Sequence, residues 1–222
     1  MPKPRANKNK TVKNKLWIYT EGTKTEQTYI NGYIKDKYKG ARNKRVESIV
    51  VPNVRQNTAD SLVKRIKSDQ ATAHHKKGDI YWVAYDRESV SKYPATFHDS
   101  ALSSARGANI NVAISCVCIE QYLLWHFNSS QASYTSYDNL ISRSNLTTLL
   151  NTVGIAKYEK GDDQLYEKLK SKVDDARRNA ARVNAATIQA SQSGERTPVH
   201  QLSPYSDFYK ILDAIDQFVQ AQ

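Results

Sequence analysis

Short, wholly apolar runs alternate with segments whose apolar residues recur at helical spacing through the first half of the chain. Residues 16–19 (Leu-Trp-Ile-Tyr) form one such run and stop at Thr20-Glu21-Gly22, which predicts a strand ending in a turn. A helix opens over residues 25–30, with Thr25 near its start as a capping residue. Residues 46–51 are rich in β-branched side chains and close at Pro52, predicting a second strand. Leu62, Val63 and Ile66 share a face of a helix over 59–66. A third strand over 80–85 runs into Asp86-Arg87-Glu88, a helix over 94–105 follows, and 110–115 makes the fourth strand.

Beyond residue 115 the pattern turns helical. Residues 120–127 carry an aromatic apolar face, 129–138 are polar and loop-like, and 140–150 and 163–183 have helical character. A polar stretch over 189–204, with Gly194, Pro198 and Pro204, reads as a loop. Phe208, Ile211, Leu212, Ile215 and Phe218 then predict a terminal helix over 205–219 that packs back on the core. There is no internal repeat. The expected fold is therefore α/β, a mostly parallel four-stranded sheet flanked by helices, with right-handed crossovers and a helical C-terminal extension. Its expected divisions are a flexible basic tail over 1–15, the α/β core over 16–127 and the extension over 128–222. In such sheets ligands bind outside the carboxyl ends of the strands.

With 222 residues and 39% hydrophobic content, the chain suits one soluble domain of good size. No run of about 18 apolar residues exists to span a membrane, and the Lys- and Asn-rich start lacks the apolar stretch of a secretory signal, so a cytoplasmic location is expected. Cys116 and Cys118 lie in an apolar run without a second pair or a histidine cluster, which disfavours both a disulfide and a zinc site. The net charge of +11 changes the picture more. Basic residues crowd the first fifteen positions and recur at Lys35, Lys37, Lys39, Arg42, Lys44 and Arg45, a pattern that attracts polyanions. Lys24, Arg42, Lys44 and Arg45 are the candidate nucleic-acid contacts; a solvated, solubilising tail explains the first fifteen residues equally well.

Three acidic positions fall at strand ends. Glu21 follows the first strand beside Gly22, which lets the turn approach a ligand. Asp86 and Glu88 follow the third strand at positions i and i+2, which in extended chain project the same way. Glu120, just past the fourth strand, can join them. Mg²⁺ takes a few carboxylates together with waters and phosphate oxygens, so this set suits metal-assisted phosphoryl chemistry. The sequence has no phosphate-binding P-loop, no dinucleotide-binding glycine motif after a strand and no Gly-x-Ser-x-Gly elbow. His126 is a candidate base or phosphate contact, and a core histidine packed beside Trp125 and Phe127 is an equal alternative. Glu26 either helps the site or serves as a first-turn carboxylate favoured by the helix dipole, and the second reading is taken. Lys160, Arg177, Arg178 and Arg182 form either a nucleic-acid face or a solvated helix surface, and the solvated surface is the reading taken.

The stretch Ile18-Tyr19-Thr20-Glu21-Gly22-Thr23-Lys24-Thr25-Glu26, with Tyr29 beyond it, resembles the opening motif of the RloB-like (AbiLii-type) proteins. So does Glu120-Gln121-Tyr122-Leu123-Leu124-Trp125-His126-Phe127, and Tyr158-x-Lys160 and Ser203-Pro204 agree with the later parts of that family. The resemblance runs from Trp17 to the C-terminus. It implies a Toprim-like fold with Glu21 as acid/base or metal ligand, and with Asp86 and Glu88 binding Mg²⁺ or Mn²⁺. Glu88 stands where Asp is usual in that pattern. The resemblance further implies a nuclease cutting DNA or RNA, tRNA included, in anti-phage abortive infection, working beside an ABC/AAA-type ATPase. A non-catalytic nucleic-acid-binding module and a regulatory subunit that docks the ATPase are the alternative readings, and self-association into a homo-oligomer is left open.

Overall fold

The structure, a computed structural model, describes residues 14–22, 24–40, 45–191 and 197–221. Three long apolar runs become the central parallel strands: β1 (Leu16–Thr20), β3 (Ile80–Asp86) and β4 (Ile110–Cys116). β1 pairs β3 with Leu16 opposite Ile80, and β3 pairs β4 with Tyr81 opposite Ile110. The runs are apolar on both faces because both faces are covered. Leu16, Ile18, Ala84 and Ala113 point into one buried cluster, while Trp17, Tyr19, Tyr81, Val83, Tyr85 and Ile114 point into the other. That division follows the two-residue period of a strand.

Helices α2 (Ala59–Gln70) and α3 (Ala95–Gly107) cover the second face. Thr58 caps α2 by accepting the Ser61 N–H, while Ser61 Oγ in turn accepts the Thr58 N–H. The first face is covered by α1 (Thr25–Lys37), α4 (Glu120–Leu124), α5 (Tyr137–Arg143), α6 (Leu146–Thr152), α7 (Leu165–Leu169), α8 (Val173–Ser191) and α9 (Phe208–Gln220). Leu140, Leu150, Leu165, Phe208 and Ile215 share one buried cluster with Leu16, Ile18 and Tyr29. The apolar face of this second half is thus built into the same core as the first strand.

The α/β architecture agrees with expectation, and the sheet has one strand more. With β2 (Ile49–Val50) and β5 (Tyr205–Ser206) at its edges, its order is β2-β1-β3-β4-β5. β5 (Tyr205–Ser206) falls where the terminal helix is expected to begin; instead it runs antiparallel to β4, with Ser115 opposite Ser206. Asn184 of α8 holds it in place, donating to Ser206 O and accepting the Ser206 N–H. β2 is shorter than the 46–51 expected: Val46–Ser48 form a 3-10 turn and only Ile49–Val50 pair with β1. The helix over 140–150 breaks at Ser144 and Asn145 into α5 and α6. The one over 163–183 divides at the turn Lys170–Lys172, and α8 continues to Ser191. Cys116 and Cys118 are buried free thiols. No helix among the described residues is long and apolar enough to cross a membrane.

A candidate acidic site at the strand ends

β1 and β3 run in register to their carboxyl ends, and the pairing continues one step past β1, where the Glu21 N–H donates to Ala84 O. This places the Glu21 side chain over the end of β3, where its Oε2 accepts the Asp86 N–H at 2.9 Å. Asp86, the last residue of β3, is 8% exposed. A hydrogen bond to its carboxylate is formed by none of the described residues. A cavity of about 460 Å³ opens here, lined by Glu21, Glu26, Asp86 and Glu88 together with Lys24, Arg55 and Lys160.

Glu26 is expected from its position to serve the helix dipole, yet in the first turn of α1 it is 7% exposed and forms a wall of the cavity. Gly22 makes room for it: a Cβ there would lie 2.6 Å from Glu26 Oε2. The close approach that the glycine permits is filled by this carboxylate. Glu120, in the first turn of α4, is 0% exposed and does not line the cavity, but its charge acts on Glu26 and Asp86. Its Oε1 accepts the Tyr158 hydroxyl at 2.8 Å, and its Oε2 has no partner. The segment after α6 brings Tyr158 and Lys160 in, and it is tied to α1 where the Gly161 N–H donates to Thr25 Oγ1. The Lys160 ammonium stands 3.9 Å from Glu120 Oε1 and over the Tyr137 ring.

The two residues after β3 do not continue as strand. Glu88 takes a left-handed backbone, φ 63°, with its N–H donating to Val117 O. The expectation that Asp86 and Glu88 project together as i and i+2 of an extended chain is corrected accordingly. Glu88 still lines the cavity, but its Oε1 is 2.6 Å from the Lys92 ammonium.

Electrostatics follow from gathering like charges out of water. Burial pushes the Glu21 carboxyl up to about 7, opposed by the Asp86 N–H and reinforced by Glu26 and Glu88. Burial, then Glu26, Glu120 and Glu21, raise Asp86 well above the carboxylate range. Glu26 is raised by burial and by Glu120. Burial alone would lower Lys160, but Glu120 and Asp86 hold it above the ordinary lysine value, so it remains an ammonium at neutral pH.

Other expected site residues lie elsewhere. His126 is in the core, where its Nδ1 faces Tyr122 O at 3.1 Å and its Nε2 faces the Tyr29 hydroxyl at 2.6 Å. A carbonyl partner requires N–H at Nδ1, and in the neutral ring Nε2 then accepts from the Tyr29 hydroxyl. Burial pushes its pKa down to about 4, in agreement. His126 is therefore not brought to the cavity, which corrects its candidacy as a base. Arg45 donates to Phe218 O and stacks on the Phe218 ring, beside Ile80 at the amino ends of the strands. It too stands apart from the carboxylates. Lys24 lines the cavity as expected, while Arg42 and Lys44 lie outside the described residues. A larger cavity, about 720 Å³, opens at the amino end of β4 beside Asp99 and Arg106. It is not flanked by a comparable set of carboxylates, so size does not mark the site.

The donors at the acidic cavity are all oxygens, which in kind fits a hard divalent cation. The buried Asp86 carboxylate, without a hydrogen bond among the described residues, and the orphaned Glu120 Oε2 are groups that a cation or its waters would satisfy. Among the described residues, however, no three acidic, histidine or cysteine side chains are gathered closely enough to hold one ion. The carboxylates match a cation in chemistry and would have to close up by side-chain rotation to ligate it.

The family model described as RloB-like protein matches residues 16–215 of the chain. Neither the search of curated proteins nor that of solved structures returned a match.

Proposed function

The chain belongs to the RloB-like family, and from that premise we propose that its acidic cavity is the centre of a divalent-cation-dependent nuclease that cleaves phosphodiester bonds of DNA or RNA. The observation that carries this reading is Asp86: a buried carboxylate without a hydrogen bond among the described residues, at the carboxyl end of a parallel strand, with Glu21, Glu26 and Glu88 around one cavity. The mostly parallel sheet is consistent with the Toprim-like fold expected from the sequence.

Asp86, Glu21 and Glu88 would hold Mg²⁺ or Mn²⁺, which when bound supplies a polarised phosphoryl oxygen and an acidified water. The residues of the chain do the rest. Lys24, Arg55 and Lys160 ring the carboxylates with positive charge and so admit a phosphate that the carboxylates alone would repel. Lys160 is braced on Tyr137 and Glu120. In the metal-free protein burial raises the Glu21 carboxyl to about 7; service as a general acid or base is the alternative to ligation for this residue. Service in anti-phage defence beside an ATPase is part of this proposal.

The test is cleavage of total tRNA, single-stranded RNA, plasmid and linear DNA by wild type, Glu21→Gln and Asp86→Asn, with Mn²⁺ or EDTA. The expected outcome is Mn²⁺-dependent cutting of one substrate, lost in both variants. Equal cutting by the variants, or none with an ATPase partner present, sinks the reading. One observation favours a second reading: Glu88 is tied to Lys92 and the ligands are not gathered. A binding module would retain nucleic acid on a filter and cut nothing.

A further inference from the structure

Glu88 is the candidate ligand that the structure holds out of position, and the restraint is specific. Its backbone is fixed at φ 63° with its N–H on Val117 O. The loop behind it is also fixed, since the Lys92 and Tyr93 N–H groups both donate to Ser89 O. Only the side chain is free to turn, and its Oε1 is engaged by the Lys92 ammonium at 2.6 Å. Lys92 is itself steadied over the Tyr93 ring. The pair sits at the rim, with Lys92 52% and Glu88 24% exposed, so water and ions reach it.

We propose that Lys92 is a positioning residue that competes with the divalent cation for Glu88, so that cation binding exchanges the Lys92–Glu88 ion pair for Glu88–metal ligation and Lys92 sets the affinity of the site. This rests on the metal-site reading of the acidic cavity. An ammonium satisfies Glu88 while the site is metal-free, and its charge partly offsets the repulsion of Glu21 by Glu88. When a cation arrives, the pair opens by side-chain rotation alone. An exposed ion pair is weak, so the competition is mild and reversible: it tunes affinity without blocking the site. The chain thereby lowers its cation affinity by a fixed factor, which shifts its loading to a higher free cation concentration.

Titration of the full chain with Mn²⁺ alone, followed by electron paramagnetic resonance of the free ion, tests this. Wild type should bind Mn²⁺ and Asp86→Asn should not. Lys92→Gln should bind about two- to fivefold more tightly than wild type, the size expected from loss of one exposed ion pair. In a Glu88→Gln background the same Lys92→Gln change should alter affinity by much less, because the competition has nothing to act on. Unchanged or weaker binding by Lys92→Gln overturns the proposal while the Asp86 dependence leaves the metal site standing. An equal gain in both backgrounds also overturns it, since that is general repulsion of the ion. If wild type binds no Mn²⁺, the metal-site reading fails and this inference with it.

Discussion

Replacing Glu21 by Gln removes a charge from the acidic cavity while keeping an oxygen to accept the Asp86 N–H. In the metal-free protein this change should stabilise the fold, and by an amount set by pH. The Glu21 carboxyl is raised from 4.5 to about 7, because burial and its acidic neighbours disfavour the ionised form. Each pKa unit corresponds to about 1.4 kcal/mol, so the full cost of ionising Glu21 in the folded state is on the order of 3 kcal/mol, reduced to about 2 by partial exposure to solvent. Because the folded pKa lies above the unfolded one, the stabilising effect of the bound proton is complete below about 4.5 and is lost as pH rises through about 7. Wild type therefore carries the whole cost at pH 8, and Gln carries none at any pH. Urea denaturation in EDTA should show Glu21→Gln more stable than wild type by about 2 kcal/mol at pH 8, with the gap shrinking toward zero near pH 4.5. A variant equal to or less stable than wild type at pH 8, or a gap independent of pH, would refute the electrostatic account of the site.

Lys160→Met should destabilise the metal-free protein at pH 8 by about 1–2 kcal/mol, read by urea denaturation, since buried Glu120 then keeps only the Tyr158 hydroxyl. Gly22→Ala forces a methyl to within 2.6 Å of Glu26 Oε2; the end of a flexible side chain can give way, so the fold should lose about 1 kcal/mol or less, while the displaced carboxylate should weaken Mn²⁺ binding in the same titration. His126→Ala should cost about 2–4 kcal/mol through lost packing and the orphaned Tyr29 hydroxyl. Measured well below its melting temperature, that variant should keep whatever nuclease rate wild type has, and a tenfold fall with the fold intact would return His126 to the site.

The strands β1, β3 and β4 are legible in the sequence because a strand buried on both faces writes itself as an unbroken apolar run. Helix α9 is legible through Phe208, Ile211, Leu212 and Ile215 at helical spacing. β5 is not, since Tyr205–Ser206 becomes strand only through Ser115, Cys116 and Asn184, all distant in sequence. The clustering of Glu21 and Asp86 follows from the parallel topology, which sends both strand ends to one edge. Glu88 misleads because the i, i+2 rule holds only while the backbone stays extended, and at φ 63° it does not. The helix position of Glu26 hides its burial, which depends on the missing side chain of Gly22. Lys160 looks like one surface lysine among many, and only the folding of its segment against Thr25 and Glu120 brings it to the carboxylates.

The second half of the chain also sustains the site energetically. Glu21, Glu26, Asp86 and Glu120 repel one another out of water, a cost no local interaction in the first half of the chain offsets fully. The Asp86 N–H steadies Glu21, and Lys92 steadies Glu88. For Glu120, the most deeply buried, the hydroxyl and the ammonium both come from the second half, at Tyr158 and Lys160. The same half contributes β5 to the sheet edge and Leu140, Leu165, Phe208 and Ile215 to the core beneath β1. Packing energy spread over that shared core is what allows the charge to be concentrated at one edge, and the two cannot be separated by cutting the chain after the fourth parallel run. A destabilised cluster held by a well-packed surround is the arrangement expected where charge has been kept for chemistry rather than for stability.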